Sequence, residues 1–262
     1  MMAHIDHTVT VGTFSLDNET FDVDNNVWVV GDDLECVVID APHNVEAILD
    51  VIGTRKVQAI LVTHAHDDHV RVAPELSRAT GAPVLMHPED MVLWRHTHPE
   101  TAPDGELSDK QVISVGGTEL HVLHTPGHAP GAVCFYSPDL GAVFTGDTLF
   151  HGGPGATGRS YSDFGTIVES IADRLLTLPP DTLVHTGHGE STTIGAESEQ
   201  LDAVAQARRV RYRRWSGPGS PPRPAPLSKS LTSPQRRRVR ARHAGFVGFA
   251  PSCRGFSQRP RA

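Results

Sequence analysis

Three histidines and two aspartates fall within six residues in the stretch Val62-Thr63-His64-Ala65-His66-Asp67-Asp68-His69-Val70. Folding a core does not reward five polar side chains in a row, because each must be desolvated. Metal chemistry does reward them. A neutral imidazole nitrogen is a good ligand for zinc-like cations, and a carboxylate adds a hard, charged oxygen. The cluster directly follows the apolar run Val57–Val62, which reads as a buried strand. His64 and His66, two apart on an extended segment, aim to one side. Asp68 and His69 lie round the bend, where they can serve a second ion nearby. Asp67 is left for solvent or a supporting hydrogen bond, and Asp40, ending the run Cys36–Ile39, is placed to support the ligands in the same way.

Two ions need more donors, and three later motifs supply them. His128 sits in the Gly/Pro turn Thr125-Pro126-Gly127-His128 after a strand. Asp147 follows the apolar run Ala142–Thr145 in Thr145-Gly146-Asp147-Thr148-Leu149-Phe150. His188 lies in Thr186-Gly187-His188-Gly189, just past the short strand 182–185. All lie at strand ends beside glycine, where active-site loops gather on an α/β scaffold. His124 and His185 lie on or near the strands and read as packed or hydrogen-bonded residues. His87, His96 and His98 read as surface or loop positions, and His151 as a lesser candidate to face a substrate.

The series H-x-H-x-D-H, T-P-G-H, T-G-D-T-L-F and T-G-H-G, in that order, resembles the metallo-β-lactamase superfamily and most of all its glyoxalase II branch. The resemblance spans roughly residues 8–200. It implies an αββα sandwich, two mixed sheets with helices on the outer faces, and a two-metal site at one edge. Carried over by motif, His64, His66 and His128 would hold the first metal, and Asp68, His69 and His188 the second, with Asp147 bridging. Zinc is the commonest metal in the family, with iron or manganese in some members. The implied activity is hydrolysis of a thioester of a small thiol by a metal-bridging hydroxide that Asp68 orients. A persulfide dioxygenase with a single iron, and a lactonase or β-lactam hydrolase, are the alternatives on the same scaffold. Glyoxalase II enzymes also carry a C-terminal helical domain that helps hold glutathione, and no such helices are visible here. The thiol is therefore open between glutathione, mycothiol and others.

The loop 152-GGPGATGRSYSDF-164 leaves Asp147 directly and should overhang the metals. Arg159, with Ser160 and Tyr161 beside it, is placed to bind a carboxylate or position the substrate. Gly158-Arg159 also resembles a G-R pair in the corresponding glyoxalase II loop.

The elements that must position these groups alternate along the chain. Val9–Leu16, Val27–Val30 and Cys36–Ile39 read as strands of a meander. Asn44 can cap a helix running through Ile52 to Gly53. A helix over 71–80, a strand Pro83–Met86 and a helix over 88–98 follow. Gly116-Gly117 joins the strands Gln111–Val115 and Thr118–Leu123. Ala132–Tyr136 and Ala142–Thr145 extend that group, Phe164–Leu178 has helical period, and a last helix covers 195–207.

Charge divides the chain. Of its 262 residues, 1–207 hold all 31 acids and eight Lys or Arg, a formal −23, while 208–262 hold fifteen Lys or Arg and no acid, a formal +15. The first part reads as the hydrolase domain. The second is a Pro/Arg/Gly-rich tail that favours disorder, and its composition also matches an out-of-frame read. Nucleic acid could be engaged only through that tail, since the acidic domain repels a phosphate backbone. No apolar run reaches eighteen residues and no secretory leader is visible, so a cytoplasmic protein with no membrane partner is expected. Three scattered cysteines suit reducing conditions. Nothing in the sequence reads out an oligomeric state.

Overall fold

The computed structural model describes residues 2–199. The basic tail 208–262, and the part of the expected last helix beyond residue 199, lie outside the described residues. Two six-stranded sheets carry the chain. The first contains β1 (His4–Leu16), β2 (Glu19–Gly31), β3 (Glu35–Ile39), β4 (Lys56–Leu61), β5 (Val84–Met86) and β6 (Gly105–Glu106), in that order. β1 to β3 are antiparallel neighbours, and β3 to β6 run parallel. The second is built from β7 (Val112–Val115), β8 (Thr118–His124), β9 (Val133–Ser137), β10 (Ala142–Gly146), β13 (Leu183–Thr186) and β14 (Thr192–Thr193). Its order is β14-β13-β10-β9-β8-β7, with β10 and β13 parallel. A small ribbon pairs β11 (Leu149–Phe150) with β12 (Gly153–Pro154).

The period-2 pattern of β2 shows why the sheets stack. Trp28 and Val30 face the second sheet and meet Leu120, Val122, Val133, Phe135 and Phe144 in the inter-sheet core. Val27 and Val29 face the other way. There they pack with Val38 and Ile60 under the helices α1 (Val45–Ile52), α3 (Ala73–Thr80) and α4 (Met91–Thr97). The second sheet repeats the arrangement, with Cys134, Val143 and Val184 covered by Ile167 of α5 (Phe164–Ser170) and by Ile171 and Leu175. Helices cover the outer apolar faces of both sheets, and the result is the expected αββα sandwich with two mixed sheets. Among the described residues no helix is long and apolar enough to cross a membrane.

Several element boundaries differ from expectation, each for a local reason. β1 and β2 form one long hairpin, not two short strands, turned by Asp17 (φ 55°) and Asn18 (φ 63°). Both residues tolerate the left-handed region that a two-residue hairpin loop requires. The helix expected over 71–80 begins at Ala73, with Pro74 in its first turn. Asn44 caps α1 as expected, accepting from Ala47 N at 2.9 Å. The helix expected over Phe164–Leu178 is α only to Ser170 and then widens into a π turn, Ile171–Leu175, where Leu176 N donates to Ile171 O at 2.9 Å.

Phe135 is fully buried at the centre of the inter-sheet core. Its replacement by Ala should cost about 3–5 kcal/mol of unfolding free energy, read as a lowered midpoint in urea unfolding; a loss under about 1 kcal/mol would mean that this core carries little of the stability.

Candidate metal centre

The site grows from strand ends. β3 and β4 are parallel, so their C-terminal ends lie side by side at one edge of the sandwich. β3 stops at Asp40, whose φ of 62° turns its carboxylate back toward the chain leaving β4. That carboxylate accepts from Thr63 N (2.8 Å), Thr63 Oγ1 (2.7 Å) and His69 Nδ1 (2.8 Å). His64 to His66 then run extended. A single turn, α2 (Asp67–Val70), brings Asp68 and His69 round, with His69 N bonded to His66 O at 3.0 Å.

The second sheet delivers the rest. β8 ends at His124 and leads to His128, β10 ends at Gly146 before Asp147, and β13 ends at Thr186 before His188. Asp90, fully buried, ties the two sides together by accepting from Ala65 N and Gly131 N. Burial raises its pKa to about 6 against those two backbone bonds. Gly187 is needed for its size, since a Cβ there would collide with Asp147 Oδ1.

All seven side chains expected as ligands converge. His64, His66 and His128 form one group whose ligand atoms lie within 4.8 Å of one another, and Asp68, His69 and His188 form another. His66 Nδ1 and His128 Nε2 stand 3.0 Å apart, and His69 Nε2 and His188 Nε2 3.3 Å. Asp147 stands between the groups, its Oδ2 3.6 Å from His128 Nε2 and 3.5 Å from His188 Nε2, and its Oδ1 3.4 Å from His69 Nε2. His64, His69 and Asp147 make a third such group, so His64 reaches toward both sides. Asp67 turns away: its carboxylate meets Arg71 and accepts from Ser15 N at 3.0 Å.

Hydrogen bonds behind the rings fix which nitrogen faces inward. His128 Nδ1 donates to Ala156 O and His188 Nδ1 to Asp24 O, both at 2.8 Å. Two buried asparagines in the middle of β2 had no flag in the sequence. Asn25 Nδ2 donates to Asp68 Oδ2 at 3.1 Å while its Oδ1 accepts from His43 Nε2 at 2.8 Å. Asn26 Nδ2 donates to Thr186 O and Gly189 O, both at 3.0 Å, holding the His188 loop. The one available signal was a pair of amides heading the apolar run Val27–Val30. Asp90 offered no signal.

The electrostatics fit a cation. Burial drives the pKa of His64 well below the ordinary histidine value, with the His69, His66 and His128 rings adding to the effect. Burial and the neighbouring His128 ring bring His66 to about 3. Burial also disfavours a charged His69, but the carboxylates of Asp68, Asp147 and Asp40 outweigh it and push that ring well above the ordinary value. His188 is raised in the same way, burial being outweighed by Asp147 and Asp68. For Asp68 burial is overcome by His69 and His188, giving about 2, and Asp147 is held well below the usual carboxylate range by His188 and His69. The site therefore holds two ionised carboxylates, Asp68 and Asp147, beside two rings held neutral, His64 and His66.

Buried polar atoms are nearly always paired, yet His64 Nε2, His66 Nε2, Asp68 Oδ1 and Asp147 Oδ1 are buried without a hydrogen-bond partner. Such a set of lone pairs around two carboxylates fits divalent metal. A separate group, His87, Glu89 and His124, also falls within ligand range. Its two rings are stacked at 4.1 Å, however, and His124 Nε2 lies 3.1 Å from Pro130 O, so it reads as packing.

Above the ligands opens a cavity of about 390 Å³, whose walls include Phe14, Val23, Ala156 and Arg159. Arg159 thus lines the cavity. Tyr161 does not join it: its side chain is 45% exposed, with its hydroxyl 3.4 Å from His96 Nε2. His151 is exposed as well.

Comparison with known proteins agrees with this geometry. The family profile of the metallo-beta-lactamase superfamily matches residues 20–188. The chain is 32% identical to a probable metallo-hydrolase, YqgX, of Bacillus subtilis, over 67% of this chain and 90% of that one. It is also 32% identical to the hydroxyacylglutathione hydrolase GloC of Haemophilus influenzae, over 65% and 87% of the two chains. Among solved structures, TTHA1623 in a di-iron-bound form superposes with a TM-score of 0.61 and 35% identity, covering 68% of this chain and 94% of that one.

Ligation needs neutral rings, whereas His69 and His188 favour their protons in the metal-free protein. That protonated form adds stability below the ordinary histidine pKa, and the gain is lost as pH climbs through the raised values. Metal binding to the stripped protein should therefore release protons and tighten from about pH 6 to about pH 8. Calorimetry in buffers of different ionisation enthalpy measures both. Binding with no proton release would contradict the charged state of these two rings.

Proposed function

The chain belongs to the metallo-beta-lactamase superfamily, and from that membership we propose a metal-dependent hydrolase that cleaves the thioester bond between an acyl group and a small thiol. The observation that carries the reading is the cage of five histidines and two aspartates at the floor of an apolar-walled cavity. The 32% identity to a hydroxyacylglutathione hydrolase supports a thioester substrate over other carbonyl compounds. Two divalent ions are proposed, zinc first, with iron or manganese as alternatives; a relative solved in a di-iron-bound form supports the count. His64, His66 and His128 would hold one, Asp68, His69 and His188 the other, and Asp147 both.

When bound, such ions lower the pKa of a coordinated water from about 15.7 toward 7 and polarise a substrate carbonyl. The chain's own residues supply the rest. Asp68 is held at Oδ2 by Asn25, which leaves Oδ1 to orient the attacking water and take up its proton. Water oxygen bonds to the acyl carbon, the carbon–sulfur bond breaks, and the proton taken up by Asp68 passes to the departing thiolate, so that a carboxylic acid and a thiol leave. Phe14, Val23 and Ala156 exclude bulk water from the reacting atoms. Cys36 and Cys134 are buried and free, which supports a reducing, cytoplasmic setting.

Replacing Asp147 with Ala should remove both metals and abolish turnover, measured as metal equivalents by elemental analysis and thiol release from acyl thioesters. A variant that keeps both metals and full activity would refute the bridging role. One iron per chain, with oxygen uptake on a persulfide and no thiol release, would replace the hydrolase reading with an oxygenase.

A further inference from the structure

The cavity's roof comes from two segments far apart in sequence, and one side chain joins them. Phe14 and Phe21 pair across the β1–β2 hairpin, their rings 6.5 Å apart, and Val23 lies further along the same strand toward the metal ligands. On the other side stands the loop after β12, where Gly158 N donates to Ser162 Oγ (2.9 Å) and Ser162 Oγ to Arg159 O (2.8 Å). Tyr161, at φ 71°, completes that tight turn. The turn aims Arg159 at the hairpin. Its guanidinium lies 4.8 Å from the Phe21 ring centre and 5.9 Å from that of Phe14, and Nη1 donates to Glu19 Oε2 at 2.7 Å. Beside it, Ser160 N donates to Asp17 Oδ2 at 3.0 Å at the hairpin tip.

We propose that Arg159 is a positioning residue that pins the tip of the β1–β2 hairpin to the 158–162 turn, so that the apolar roof is held over the metal-binding floor. It then favours substrate through the shape of the closed cavity and receives no substrate carboxylate itself. Among the described residues Arg159 is the sole Lys or Arg lining the cavity, and its charge is already answered by Glu19 and by two aromatic faces. The other acidic groups on this rim, Asp17 and Asp24, add negative charge at the mouth, which does not favour a strongly anionic thiol.

The proposal rests on the thioester reading only for its kinetic arm. Two substrates separate a pin from a carboxylate receptor: S-lactoylglutathione, which carries free carboxylates, and the S-lactoyl ester of N-acetylcysteamine, which has none. In metal-loaded protein, Arg159→Ala should raise KM for both by about 3- to 30-fold, the size of one exposed ion pair together with cation–π contacts, with a smaller change in kcat. Glu19→Ala, an exposed strand position, should also raise KM for both. Hydrogen exchange should quicken in residues 15–20 and 158–162 of each variant, and Arg159→Lys should recover part of the protection. A KM effect confined to the glutathione ester, or a Glu19→Ala variant that binds that ester more tightly because its arginine is freed, would overturn the pin. If neither ester is cleaved, the thioester reading fails and exchange alone decides: unchanged protection overturns the proposal, and faster exchange in both segments upholds it.

Discussion

Two carboxylates, Asp68 and Asp147, sit ionised and almost out of water at the end of a β-sandwich, and much of the structure answers to that fact. Burying a lone anion is too costly for a domain whose net stability is a small difference between large terms. Positive charge must be present, from protonated His69 and His188 when metal is absent and from cations when it is bound. Either way the surrounding chain has to be rigid, because a ligand cage that relaxes by an ångström loses its purpose.

Rigidity comes from groups that never touch the reacting atoms. Asp40, in a left-handed conformation costly for a residue with a side chain, spends three acceptor contacts on Thr63 and His69. Asp90 spans the loops that carry His66 and His128, and Asn25 and Asn26 fix Asp68 and the His188 loop from neighbouring positions on one strand. Successive side chains on a strand point opposite ways, which is why two adjacent asparagines can serve two different parts of the centre. The polar content of this edge is large, yet its partners are local and specific, as buried networks require.

The ligands were legible because their chemistry is dense and placed at strand ends: histidine and aspartate crowded after an apolar run have no structural purpose that competes with metal. The layers were legible from alternating runs such as Val27–Val30 and from capped, glycine-stopped helices such as α1. What stayed hidden was set by distant partners. Asn25 and Asp90 matter through contacts 43 and 25 residues away in sequence. The full length of the β1–β2 hairpin escaped because its outer half is exposed and mixed in polarity, which erases the period that marks a half-buried strand. The π turn after α5 follows from packing against the second sheet, not from any breaker residue. Tyr161 looked like a ligand-binding residue from its neighbours alone, whereas its backbone conformation is what the loop uses.

The sheets are each written almost continuously, the first by residues 4–106 and the second by residues 112–193, while the cage is drawn from both. His64, His66, Asp68 and His69 therefore leave the ribosome together, and their three partners from the other layer, His128, Asp147 and His188, come as many as 124 residues later, if His64 and His188 are taken as the ends. Such long-range closure is slow compared with formation of either sheet. Until Asn26 N meets Gly187 O across the seam, the early half carries only four of the seven candidate ligands. Once the seam closes, an ion bound from both sides would act as a rivet between halves that the chain builds one after the other, and the folded state would gain whatever affinity that ion has for the finished cage.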